Sequence, residues 1–211
     1  MSLDTAVVAG ERPTDADVAP AGPPWWRSLA GRLRAIPLPL VVGLGVMVAL
    51  NAWWLHRFRA GSPVTIDEAG YLTMGFADAA GLHSGGIGGL VHAALSSNLQ
   101  APLAPLLMVP FQLVLGWTLA AGFALSLVLF VALGGLTYAV ARPLMSRRWS
   151  VLAALTVAAV PGVTSNSRDF LFALPLAVMF TACIWALGRS DGLGRTGWSV
   201  TAGVFLALAA L

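Results

Sequence analysis

Apolar residues fall into five runs, 36–55, 101–141, 149–164, 170–188 and 196–211, parted by intervals that hold most of the remaining charge. The first run is 20 residues long, which at about 1.5 Å per residue covers the roughly 30 Å hydrocarbon core of a bilayer. Trp53 and Trp54 at its end suit the far interface, and Trp25, Trp26, Arg27, Arg32 and Arg34 before it suit the near headgroup region. Residues 1–24 are rich in Ala, Pro, Asp and Gly without periodicity, so 1–35 reads as a disordered cytoplasmic tail closing in a basic, aromatic juxtamembrane segment. The tail contains four acids and no apolar core, so the first run is expected to stay as an anchor and not to be cleaved as a signal peptide.

The run 101–141 is long enough to cross once or twice. With the tail in the cytoplasm, one crossing leaves Arg142, Arg147, Arg148, Arg189 and Arg195 on the cytoplasmic side, as the positive-inside tendency favours, whereas two put all five outside. One crossing also gathers Asp67, Glu68, Arg168 and Asp169 on a single outer face. The expected arrangement is a full crossing at about 118–141, preceded by a helix at 102–116 that Pro102, Pro105 and Pro110 shorten and kink, lying in or dipping into the outer interface. Outward Arg57 and Arg59 break the charge pattern under either arrangement, which singles them out for a task. The fold expected is an all-α polytopic membrane protein with about five transmembrane helices and a long first extracytoplasmic loop, about 56–117, containing juxtamembrane helices. The last run stops while still apolar, so the chain is read as the N-terminal part of a longer polytopic protein.

Composition narrows the picture further. Hydrophobic residues make up 58% of the chain and charged ones 10%, against about 25% in soluble domains, so the chain lacks the polar surface to coat a water-soluble globule. Between Asp78 and Arg142 no Asp, Glu, Lys or Arg occurs at all. The sequence pI near 10.0 does not indicate a nucleic-acid partner, because the arginines sit in small groups at the ends of apolar runs and not in a phosphate-tracking stripe. The one cysteine, Cys183, has no partner within the chain for a disulfide and no CxxC or Cys/His metal context.

Residues 56–100 hold Asp67, Glu68 and Asp78, all three histidines, and glycines at 81, 85, 86, 88 and 89, and so form the natural place for chemistry. A short helix is expected at 69–82, with Asp67 or Thr65 as N-cap and acids in its first turn, and another at 90–95. His83 and His92 are nine residues apart in a glycine-rich loop, a poor ligand spacing. The glycines show no GxxxxGK[ST] or strand-Gly-helix context for a nucleotide.

The sharpest motif is TIDEAGY at 65–71, an acidic pair just beyond the first span with an aromatic after it. An N-terminal span followed by a loop that opens on such a motif resembles the GT-C superfamily of polyprenyl-phosphate-sugar-dependent glycosyltransferases, particularly its protein O-mannosyltransferase and aminoarabinose-transferase branch. The segment NLQAPLAPLL at 98–107 looks like the family's Pro-rich closure of the first loop, and YAVARPL at 138–144 like the basic end of the next span. SRDF at 167–170 with LPL at 174–176 looks like its following outer-face segment. The resemblance covers about 36–211. Ala173 stands where the family's pattern is acidic before Pro175, and Gln100 where a charge is often found, so donor type and metal dependence stay open.

The resemblance implies transfer of a sugar from a polyprenyl-phosphate carrier to an extracytoplasmic acceptor glycan, lipid or protein, at the outer face of a bacterial plasma membrane. Such a transfer needs a base to take the acceptor's proton and a guanidinium or metal ion to meet the charge developing on the lipid phosphate. Asp67 is the candidate base, with Glu68 orienting the acceptor or sharing a divalent metal ion as cofactor. Arg168 is the leading phosphate ligand, with Arg57 and Arg59 behind it; Asp169 accompanies Arg168, and Tyr71 could stack on a sugar. Small residues such as Gly134 and Gly135 would help form a lateral groove for the polyprenyl chain. Each role has a plainer rival: Asp67 and Glu68 as a helix cap, Arg168 and Asp169 as an interfacial ion pair, the tryptophans as anchors. At the level of the whole chain the rivals are a transporter or channel component and a non-catalytic membrane assembly protein.

Overall fold

The computed structural model of the chain describes residues 36–59, 61–96 and 101–211, and their regular structure is all helical. The tail 1–35 and Asn98, Leu99 and Gln100 of the Pro-rich motif lie outside the described residues.

Proline sets the start of the first helix. Pro37 is extended (φ −68°, ψ 129°) and Pro39 falls in the first turn, where its missing N–H has no intrahelical partner to lose, so α1 runs Leu38–Trp54. The helical path does not stop at the tryptophans as the sequence reading expects; Leu55–Arg59 continues it as a π-helical turn. A π-turn changes the angular register of the side chains after it. Here it leaves Arg57 and Phe58 exposed and turns Arg59 inward.

Helix α2 spans Ile66–Ser96 and is broken at Gly86, whose φ of 59° and ψ of −147° suit glycine alone. A Cβ at Gly81 would stand 2.6 Å from the Gly89 carbonyl oxygen and 3.0 Å from Ala93 Cβ, so the arms on either side of Gly86 fold back and pack backbone to backbone. The glycine-rich stretch is therefore a helical hairpin and not the loop expected, with His83 and His92 exposed on separate arms. The helix is also longer than the expected 69–82, because the hairpin lets both arms stay helical.

The run 101–141 divides at Gly116 (φ 77°, ψ 176°) into α3, Leu103–Leu115, and α4, Leu119–Ala141. Leu103 and Ala104 of α3 adjoin Phe172 and Leu208, while Leu115 adjoins His56 and Leu119. Both ends of α3 thus meet the same end of the bundle, and α3 lies across it. Helix α4 is the axis, packed against α1, α3, the next helix α5 (Arg147–Ala159) and α7 (Ala173–Leu187). Gly134 admits Leu44 of α1, since a Cβ there would come within 2.7 Å of the leucine side chain. That position is filled by packing and does not open a groove, while Gly135 faces open space. Gly122 likewise leaves room for Phe170 and Leu72.

Helix α5 ends at Ala159 because Val160 precedes Pro161 and is held extended (ψ 128°). The short α6, Pro161–Asn166, begins at that proline, so the apolar run 149–164 is split in two. Helix α8, Thr196–Ala210, runs back along α7, with Trp185 and Trp198 edge to face at 5.2 Å. Among the described residues two helical segments are long and apolar enough to cross a membrane, Leu38–Arg59 and Leu119–Ala141; α3, α7 and α8 are apolar but shorter.

The bundle has two polar ends. Residues 37–39 share one with Arg147 and Arg148, and Arg142 and Arg189 line a cavity there. The π-turn, the start of α2 and the segment 167–172 share the other.

Candidate functional site

The second end gathers side chains from four separate segments. Thr65 opens α2, its Oγ1 accepting the Glu68 N–H at 3.3 Å, so Thr65 and not Asp67 is the N-cap. Capping fixes the rotation of the first turn and sends the two acids in different directions. Asp67 stays exposed, whereas Glu68 is wholly buried.

Glu68 is enclosed by partners. Its Oε2 is ion-paired with Arg59 Nη2, and its Oε1 accepts the Phe170 N–H at 3.1 Å. The same Arg59 nitrogen lies 3.5 Å from Asp169 Oδ1, and Arg59 Nη1 donates to the Pro63 carbonyl at 3.4 Å. The guanidinium also stands 5.6 Å from the Phe123 ring of α4, and its Nε is buried without a partner among the described residues. Ser126 of α4 donates to the Asp169 carbonyl at 3.0 Å. Glu68 therefore ties α2, the π-turn and the 167–172 segment together over the end of α4. Such a carboxylate is positioned to hold structure and has no free face for an acceptor or a metal ion.

Arg168 occupies a neighbouring niche. Its Nε donates to Asn51 Oδ1 at 2.7 Å, and its guanidinium lies 4.6 Å from the Trp54 ring centroid. The arginine is only partly buried, and neither contact is an ion pair, so it keeps donors for an anion. Asp169, about a third exposed, has its carboxyl pushed above the usual range by burial, opposed by the Arg59 charge; nearby Glu68 adds to the rise and Arg168 opposes it.

Tyr71, one turn beyond Asp67, packs its ring 6.0 Å from that of Phe172, and its hydroxyl is pushed upward by burial and then by the Asp67 charge. Arg57 stands apart: it is exposed and lies 5.5 Å from the adjacent Phe58 ring. The structure thus joins Arg59, Glu68 and Asp169 directly and sets Arg168 and Tyr71 against aromatic neighbours on the same chain segments. It leaves Asp67 exposed at the helix start and Arg57 outside the cluster.

Two further groups belong to this end and carry little sequence signal. Asn51 is the one amide in the first apolar run, and its partner lies 117 residues away. Asp78 of α2 is 2% exposed, and burial pushes its carboxyl up to about 6. One turn back on its helix, Gly75 approaches Gln112 of α3, whose buried amide has no partner among the described residues. Among the described residues no group of three or more His, Cys, Asp or Glu side chains is disposed to hold a metal ion.

No protein-family model, curated protein or solved structure matches this chain at a significant level.

Proposed function

We propose that the chain is a multi-pass membrane protein of the bacterial plasma membrane and a GT-C-like glycosyltransferase module, moving a sugar from a polyprenyl-phosphate carrier to an extracytoplasmic acceptor. Helices α1 and α4 cross fully, α5 with α6, α7 and α8 complete about five spans, and the Arg59 end faces outward. Support for the bilayer comes from burial as well as hydropathy: of the best 18-residue window in Leu38–Arg59 only 22% is buried, against 44% for α4. The core helix of a soluble domain would be mostly covered, whereas α1 turns Val41, Val42, Val46 and Leu50 outward.

The observation that carries the catalytic reading is the division of labour at the Arg59 end. Glu68 and Arg59 brace the site, and the exposed Asp67 carboxylate and the partly exposed Arg168 guanidinium stand on elements that this brace locks together. In the reaction Asp67 takes the proton of the acceptor hydroxyl, the acceptor oxygen attacks the anomeric carbon, and the bond from that carbon to the lipid phosphate breaks. Arg168 meets the charge that develops on the departing phosphate. Tyr71 lies against the sugar.

A second reading, a non-catalytic membrane assembly protein, draws on the same burial of Glu68, since a cluster whose charges satisfy one another needs no substrate. The two separate on Asp67→Asn. In a transferase it abolishes transfer from a polyprenyl-phosphate sugar and leaves membrane insertion intact. Undiminished transfer would remove Asp67 from the chemistry.

A further inference from the structure

At the Arg142 end, remote from the cluster just described, the C-terminal turns of α4 and α7 border a cavity of about 660 Å³. Its apolar wall includes Leu144 and Ile184, and its polar groups are Tyr138, Arg142, Trp185 and Arg189. Neither arginine forms an ion pair among the described residues. Arg189 is held by aromatic faces instead, 4.7 Å from the Trp185 centroid and 5.5 Å from that of Trp198. Among the described residues no carboxylate lines the cavity; the nearest acid in sequence, Asp191, lies 3.9 Å from Arg195 in an adjoining hollow that Arg189 also borders. A concave site with two guanidinium groups that form no ion pair among the described residues and an apolar wall is complementary to an anion attached to hydrocarbon.

We propose that this cavity binds an anionic phospholipid, its headgroup phosphate between Arg142 and Arg189 and an acyl chain along Leu144 and Ile184. Aromatic stacking pre-orients the Arg189 fork, so less side-chain freedom is lost when the phosphate arrives. The inference rests on α4 lying in a bilayer and is independent of any transferase activity.

The test uses the full chain in detergent micelles, titrated with phosphatidylglycerol or phosphatidylcholine, with bound lipids counted by native mass spectrometry. The wild-type chain should retain one phosphatidylglycerol in preference to phosphatidylcholine. Arg142→Gln with Arg189→Gln should lower that preference by about 25-fold, roughly fivefold for each arginine, while Arg148→Gln, a charge removed from the same end outside the cavity, should leave it within twofold. Arg142→Lys alone, which keeps a charge at the position with no stacking partner, should keep most of it, which separates loss of charge from loss of fold. Equal binding of both lipids, an equal effect of Arg148→Gln per charge removed, or displacement of the lipid by millimolar inorganic phosphate would each overturn the proposal. Carbonate extraction tests the underlying premise separately: release of the chain into the supernatant would refute the bilayer placement, whereas a retained chain that binds both lipids equally refutes only the lipid site.

Discussion

Glu68→Gln isolates the charge of the buried carboxylate. Glutamine keeps the shape and an oxygen that can accept the Phe170 N–H, but leaves the Arg59 guanidinium without its closest anion. The Glu68 side chain is 0% exposed and that of Arg59 12%, which places the pair in the regime where removing one partner costs about 3–5 kcal/mol. Asp169, 3.5 Å from the same guanidinium nitrogen, remains as a partial counter-charge. The loss should therefore fall at the low end, about 3 kcal/mol, or roughly 100-fold in the folding equilibrium. Tryptophan fluorescence during denaturant unfolding in micelles measures it. Arg59→Met should cost at least as much, because it strands a fully buried carboxylate, and the double variant should be less damaged than the sum of the singles by about 2 kcal/mol. Single variants that each cost under about 0.5 kcal/mol and combine additively would show that the pair is an ordinary surface contact.

The remaining predictions concern groups around that brace. Asp78 has its folded pKa raised from 3.8 to about 6, so its contribution to stability is fully present below about pH 4 and is lost as pH rises through about 6. The wild type should lose up to about 3 kcal/mol relative to Asp78→Asn across that window; a difference between the two that stays flat with pH would contradict the burial argument. Gly86→Ala forces a side chain onto a positive φ and should cost about 1–3 kcal/mol, seen as faster hydrogen exchange over 66–96 with α4 unchanged; uniform protection would speak against a glycine-dependent hairpin. Asn51→Leu removes the acceptor from Arg168 Nε and should cost about 1–3 kcal/mol in the same unfolding assay. A value near zero would mean that water replaces the amide.

Much of this architecture was legible in the spacing of apolar and breaking residues. Pro102 with Gly116 frames α3, because proline and positive-φ glycine act on the backbone locally whatever surrounds them. Three features depend on distant partners and were not legible. The π-turn at Leu55–Arg59 reverses the fates of Arg57 and Arg59, which look equivalent in sequence. The glycines of 81–89 read as a loop until Gly81 is seen to need Gly89 beside it. In the acidic pair, the position just beyond the first span identifies two candidates, but only the Thr65 cap and the Phe170 N–H decide that Glu68 goes in and Asp67 stays out. Asn51 was overlooked for the same reason: an amide in an apolar run becomes informative only when its partner, Arg168, is known.

The most direct test of the proposed function is transfer in vitro, with the full-length membrane-embedded protein offered a panel of radiolabelled polyprenyl-phosphate sugars and a crude envelope acceptor fraction. Label should move to acceptor from at least one donor with the wild-type protein and not with Asp67→Asn at equal insertion. Absence of transfer from every donor, or transfer that Asp67→Asn leaves undiminished, would contradict the account.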